Sequence, residues 1–87
     1  MLKIQRAANG DVVLTLSGQL QADNLSELSA VLAAEPPGRA VVLDLEDVVL
    51  VDREVIQFLR ACEADGIALR NCSLYIRAWI ARDGEEP

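Results

Sequence analysis

Residues 40–59 read AVVLDLEDVVLVDREVIQFL, and the change of period inside them decides the fold. Val41, Leu43 and Leu45 alternate with Val42 and Asp44, the pattern of a short strand, over residues 41–45, buried on at least one face. Beyond Asp52 the spacing becomes helical: Val55, Leu59 and Cys62 recur on one side, flanked by Ile56 and Phe58. Asp52 stands at the N-cap position of that helix, where a short side chain accepts from an N–H group of the first turn. Strand, short connection and capped helix form one unit. Its joint is a natural place for a site, because the first N–H groups of a helix lack partners within it.

Upstream, Leu2 and Ile4 alternate with Lys3 and Gln5 as in a half-exposed strand, and Asn9-Gly10 is a hairpin signal. Val12, Leu14 and Leu16 then form one face of a second strand, antiparallel to the first, with Gly18 marking where the chain leaves the sheet. Asn24, followed three residues later by Glu27, has the form of a capping box for a first helix whose apolar stripe is Leu25, Leu28, Val31 and Leu32. Glu35-Pro36-Pro37-Gly38 stops that helix. Downstream, Asp65-Gly66 ends the second helix, residues 67–71 make a short strand, and Ser73 caps a third helix carrying Tyr75, Ile76, Trp79 and Ile80. Residues 82–87 are expected to form a frayed acidic tail.

The order is therefore ββαβαβα: an α/β domain, spanning residues 1–87, with a mixed four-stranded sheet packed with three helices. The strand at residues 41–45 is expected inside the sheet and the first strand at an edge. A single core of Leu, Val, Ile and Ala fits 87 residues that are 52% apolar but hold only three aromatics, Phe58, Tyr75 and Trp79. Fourteen acidic against eight basic side chains give a formal charge of −6, which disfavours nucleic acid and anionic membrane surfaces as partners. No apolar run reaches the length of a membrane span and the N-terminus lacks a signal-peptide core, so the expected location is the cytoplasm. Cys62 and Cys72, in a chain without histidine, do not form a zinc pattern and are expected to be reduced.

The segments VVLTLSGQL, RAVVLDLEDVVLVDREVIQFL and ADGIALRN, in this order and spacing, resemble the STAS domain of bacterial anti-sigma-factor antagonists. The resemblance covers residues 12–71, and its most specific parts are Gly18, Asp44-Leu45, Asp52 and Gly66. It implies a regulatory protein-interaction module with a protein partner such as an anti-sigma factor. In that family the junction usually reads DSSGL, and the first serine after the aspartate is phosphorylated. Here Asp52 matches, whereas Arg53 and Glu54 replace the serines and Val55 the glycine, so the usual serine switch is absent: a small, degenerate member.

The residues themselves make the same junction unusual. Arg53 places a cation at the positive end of a helix dipole, opposing it by about 0.3–1 kcal/mol, and broken local rules are enriched at functional sites. The plain alternative is that Arg53 pairs with a nearby carboxylate. Val48-Val49-Leu50-Val51, read as a connecting segment, cannot all face one core. It either packs beneath the sheet end or offers an apolar patch. Asp44, Asp47 and Asp52 are strand-end and capping carboxylates rather than cation ligands. With no histidine, phosphate loop or activated serine, no catalytic residues and no cofactor or metal are expected, and the chain is not read as an enzyme. The expected partner-binding residues are Val49, Val51, Asp52, Arg53, Glu54 and Gln57. The competing reading is a small-ligand domain, sensing a nucleotide or anion or serving transport. A homodimer burying Tyr75 and Trp79 is a third.

Overall fold

The computed structural model describes residues 2–36 and 38–85. Its elements are β1 (Leu2–Asn9), β2 (Asp11–Leu20), a 3-10 turn (Ala22–Asn24), α1 (Leu25–Ala33), β3 (Val41–Val51), α2 (Arg53–Ala64), β4 (Ala68–Arg70) and α3 (Leu74–Glu85). The sheet order is β1-β2-β3-β4, with β1 antiparallel to β2 and the β2–β3 and β3–β4 pairs parallel. This is the expected mixed four-stranded sheet with three helices, β1 at one edge and the first half of β3 inside.

Register explains the core. Ile4 lies beside Leu16, Leu14 beside Leu43, and Leu43 beside Leu69, so one face of the sheet carries an apolar row across all four strands. That row packs with Leu28 of α1, Val55, Ile56 and Leu59 of α2, and Ile76 and Ile80 of α3 in a single buried cluster. The alternate residues, Gln5, Thr15, Asp44 and Arg70 among them, form a half-buried to exposed face without helices. The helices thus cover one side only, giving two layers.

The local signals act largely as their chemistry requires. Gly10 turns the hairpin at φ +92° between the paired Asn9 and Asp11. At the end of α2, the Ile67 N–H donates to the Cys62 carbonyl at 3.0 Å and the Gly66 N–H to that of Glu63 at 3.1 Å, with Gly66 at φ +92°. That pairing satisfies the last carbonyls and needs a left-handed residue at its centre. Ser73 caps α3 through its hydroxyl, which accepts from the Ile76 N–H at 3.2 Å. α1 ends at Ala33, ahead of Pro36; Pro37, part of the expected stop, lies outside the described residues.

Four local expectations are corrected. β3 does not stop at Leu45 but runs to Val51, so Val48-Val49-Leu50-Val51 is strand rather than connection. Gly18 does not mark the end of β2; it lies inside the strand at φ +96°, where the register with β3 shifts. Asn24 does not cap α1 forward: its backbone is already helical, at φ −92° and ψ −9°, and its Oδ1 accepts from the Gln21 N–H behind it at 3.0 Å. The preceding 3-10 turn has taken its side chain. Lastly, Arg82 and Asp83 are not a frayed tail but belong to α3, which continues to Glu85; residues 86–87 lie outside the described residues.

Candidate functional site

Asp52 leaves β3 with extended backbone, at φ −119° and ψ 178°, and its two carboxylate oxygens are both engaged. Oδ1 accepts from the Val55 N–H at 3.0 Å, the expected cap. Oδ2 accepts from the Ala22 N–H at 2.9 Å, tying the chain that follows β2 to the start of α2. Asp52 is therefore the clamp that holds the junction together. The capping bond was legible in the sequence, whereas the tie to Ala22, thirty residues away, was not.

The first turns of α2 divide as an amphipathic helix should. Val55, Ile56 and Leu59 are buried; Arg53, Glu54 and Gln57 are exposed. Arg53 finds a carboxylate, as its plain reading had it, but the partner is remote: its Nε lies 3.8 Å from Asp83 Oδ1 on α3. Asp83 also accepts from Arg60 at 3.1 Å, and Glu63 pairs with Arg77 at 2.8 Å. As residue numbers rise along α2 they fall along α3, so the two helices run antiparallel and the end of α3 lies beside the start of α2. Asp83, Arg82 and Trp79 join the site by this route. Nothing in the local sequence placed them at this junction.

The last part of β3 shows why Val49 is available. From Thr15 to Ser17 β2 advances two residues while β3 advances three, from Asp44 to Asp47; from Gly18 to Gln19 it advances one while β3 goes from Val48 to Leu50. Both extra residues belong to β3, and each makes a bulge that bends the strand. At the first, Asp44 Oδ1 accepts from the Glu46 N–H at 3.1 Å and from Asn71 Nδ2 at 3.2 Å. At the second, Val49 has no residue opposite it on β2 and is turned outward, 75% exposed, with Leu50 44% exposed beside it. Val48 and Val51 are half-buried against the core. β4 pairs only with Val42, Leu43 and Asp44, so among the described residues no strand lies on the other side of residues 46–51.

Of the six residues expected to bind a partner, Val49, Arg53, Glu54 and Gln57 share this exposed end, Val51 is half-buried at its base, and Asp52 is committed to the fold. The other exposed apolar pair, Leu74 at 87% and Tyr75 at 65%, opens α3 beside the far end of α2. Trp79 meets Tyr75 edge-on with ring centroids 5.8 Å apart and is half-buried. Ile76 and Ile80 supply the buried face of α3, and Trp79 packs against the same core from its margin, whereas Tyr75 does not. Both cysteines are free thiols, and burial together with nearby Asp65 pushes Cys62 up to about 11. No helix among the described residues is long and apolar enough to cross a membrane.

Residues 4–79 match the profile of the family described as "Mlab, STAS domain". No curated protein matches the chain. Among solved structures, it is similar to the crystal structure of an uncharacterized protein of the DUF3478 family, with a SpoIIAA-like fold, from Shewanella loihica PV-4. That similarity spans 97% of this chain and 75% of the other, at 15% identity and a TM-score of 0.44.

Proposed function

The chain belongs to the STAS domain family, and from that premise we propose that it is a non-enzymatic regulatory module. It holds a protein partner, of the kind that anti-sigma factors exemplify, against the end of β3 and the start of α2. The observation that carries this reading is Val49. A large apolar side chain held 75% exposed on a strand bulge gains nothing for the fold, and bulges of this kind serve to re-aim side chains. Around it stand Leu50 and the exposed charges of Arg53 and Glu54, an apolar centre with a polar margin, which is the composition of a small protein interface. Arg53 and Glu54 occupy the place where the family carries its phosphorylatable serine, so binding here is constitutive rather than gated by that serine.

The test compares stability and binding in the same variants. A protein captured by the tagged chain from its own cells is purified and titrated against the parent, Val49→Asp and Glu54→Arg. Each substitution should change unfolding free energy by no more than about 1 kcal/mol, as expected for exposed positions. Each should lower partner affinity by about tenfold or more, because a buried or mispaired charge at an interface costs far more than an exposed one. Unchanged affinity in both variants would remove the site from this end of the molecule and move it to Leu74 and Tyr75.

A further inference from the structure

The sheet has two edges, and they are built differently. At β1, Lys3, Gln5 and Arg6 are exposed and Arg6 holds Glu35 at 2.8 Å, so polar and charged side chains guard that side. Guarding of this kind keeps a free edge from pairing with another chain. On the other side, β4 covers only residues 42–44 of β3. It stops where Asn71 turns the chain at φ +55° and donates through Nδ2 to Asp44 Oδ1 at 3.2 Å. The place beside residues 46–51, continuing the line of β4, holds no strand among the described residues. Its centre is apolar, with Val49 75% and Leu50 44% exposed. Its near end is acidic: Glu46 and Asp47 are exposed, and neither side chain makes an ion pair or hydrogen bond among the described residues. The cations of the adjoining elements lie elsewhere. Lys3 is separated from Asp47 by Ser17 of β2, Arg70 stands beside Asp44, and Arg53 and Arg82 are grouped with Asp83; Glu54, exposed on the first turn of α2, adds another acid.

We infer that this edge takes an extended segment of the protein partner as a fifth strand of the sheet. The segment brings lysine or arginine opposite Glu46 and Asp47 and apolar side chains beside Val49 and Leu50. This rests on the assignment of the same end of the molecule to partner binding and names how the partner is held. A strand edge presents a row of backbone N–H and C=O groups that a second chain pairs whatever its sequence, and the side chains along it select the occupant. Residues 46–51 match the length of an ordinary strand, about five or six residues. An edge kept closed carries charge along its length, whereas here apolar residues hold the middle. A basic segment is also drawn towards a chain of net charge −6. A second copy offering its β1 is the weaker occupant, because Arg6 is already held by Glu35 and a contact between unlike edges propagates without closing.

The probes are a blocked hexapeptide of paired lysines followed by valines, which suits a parallel strand, and its reverse sequence, which suits an antiparallel one. Each is also made with one or the other alternate set of backbone nitrogens methylated, which keeps every side chain and charge and removes the donors of one strand edge. They are titrated into the isotopically labelled full chain and followed by amide NMR. The expected result is a saturable shift at residues 46–51 with one of the unmethylated peptides. Methylating one alternate set should weaken it about tenfold or more, and methylating the other far less. Glu46→Lys with Asp47→Lys should also weaken it about tenfold or more. Asp11→Lys with Asp65→Lys, the same change of charge at the opposite end of the molecule, should leave it unchanged. No saturable shift, a shift that survives both methylations, or equal weakening in the two double variants would each overturn the proposal. Polymers of the parent chain that grow with concentration and dissolve in Glu46→Lys with Asp47→Lys would overturn it in favour of a second copy. The captured partner separates the two claims: its loss in Val49→Asp with full binding by Glu46→Lys with Asp47→Lys keeps the interaction surface and removes the added strand from it.

Discussion

The two halves of β3 are one continuous strand with opposite duties. Residues 41–45 alternate regularly and include Leu43 and Leu45 at 0% and 2% exposure, and their middle residues are paired on both sides, by β2 and β4. Residues 46–51 pair, among the described residues, with β2 alone, carry the second bulge and display Val49 and Leu50. Apolar content is similar in both. What differs is whether the backbone keeps step with its neighbour, and a strand that loses step twice turns Val49 out of the core. The first half holds the fold rigid; the second is supported by it and left available.

That contrast is broken most severely from the buried side. Leu43→Ala should cost about 2–5 kcal/mol in urea unfolding, because it leaves a cavity among β2, β4 and the helices, whereas Val49→Ala should cost under about 0.5 kcal/mol. Equal midpoints in the two variants would show that the halves do not differ in burial. Next in size, Asp52→Ala should cost about 1–2 kcal/mol, since it removes the cap of α2 and leaves the half-buried Ala22 N–H without its acceptor. Asp52→Asn should recover part of that loss, its amide oxygen still able to accept one of the two bonds.

Hydrogen exchange sharpens the comparison without mutation. Amides at residues 42–44 should exchange near the global unfolding limit, and those at residues 46–50 measurably faster, because one side of that segment has no strand upon it among the described residues. Equal protection along all of β3 would count against an open second half.

The last effect shows only at alkaline pH and concerns Cys62, which anchors α2 beneath the sheet and is pushed up to about 11 in the folded chain, against roughly 8.5 for an unperturbed thiol. A raised folded value means that the unfolded chain gives up its proton first. The stability this confers is whole below about pH 8.5 and is lost as pH rises towards 11. Unfolding free energy should therefore fall more steeply across that window in the parent than in Cys62→Ala, and parallel slopes would show that the thiol is not the group responsible. The variant should also be less stable at neutral pH, since Cys62 fills space in the core.

What the sequence determined by itself is whatever neighbours along the chain can enforce. Period two at Val41, Leu43 and Leu45, period 3.6 from Val55 onward, the hairpin at Asn9-Gly10, the caps at Asp52 and Ser73 and the left-handed Gly66 are each set within a few residues. Together they specified the order of elements and much of the core. The exposed first turn of α2 was legible for the same reason, since Arg53 and Glu54 are conspicuous wherever the helix begins. Only the tertiary structure decided where β3 ends, because each bulge is a mismatch between two strands and neither strand shows it alone. It also decided that Asn24 reaches backward, that Asp52 clamps Ala22, and that Arg53 meets Asp83. Such contacts join residues as many as thirty positions apart; their geometry follows from how the helices settle on the sheet, and no local propensity encodes it.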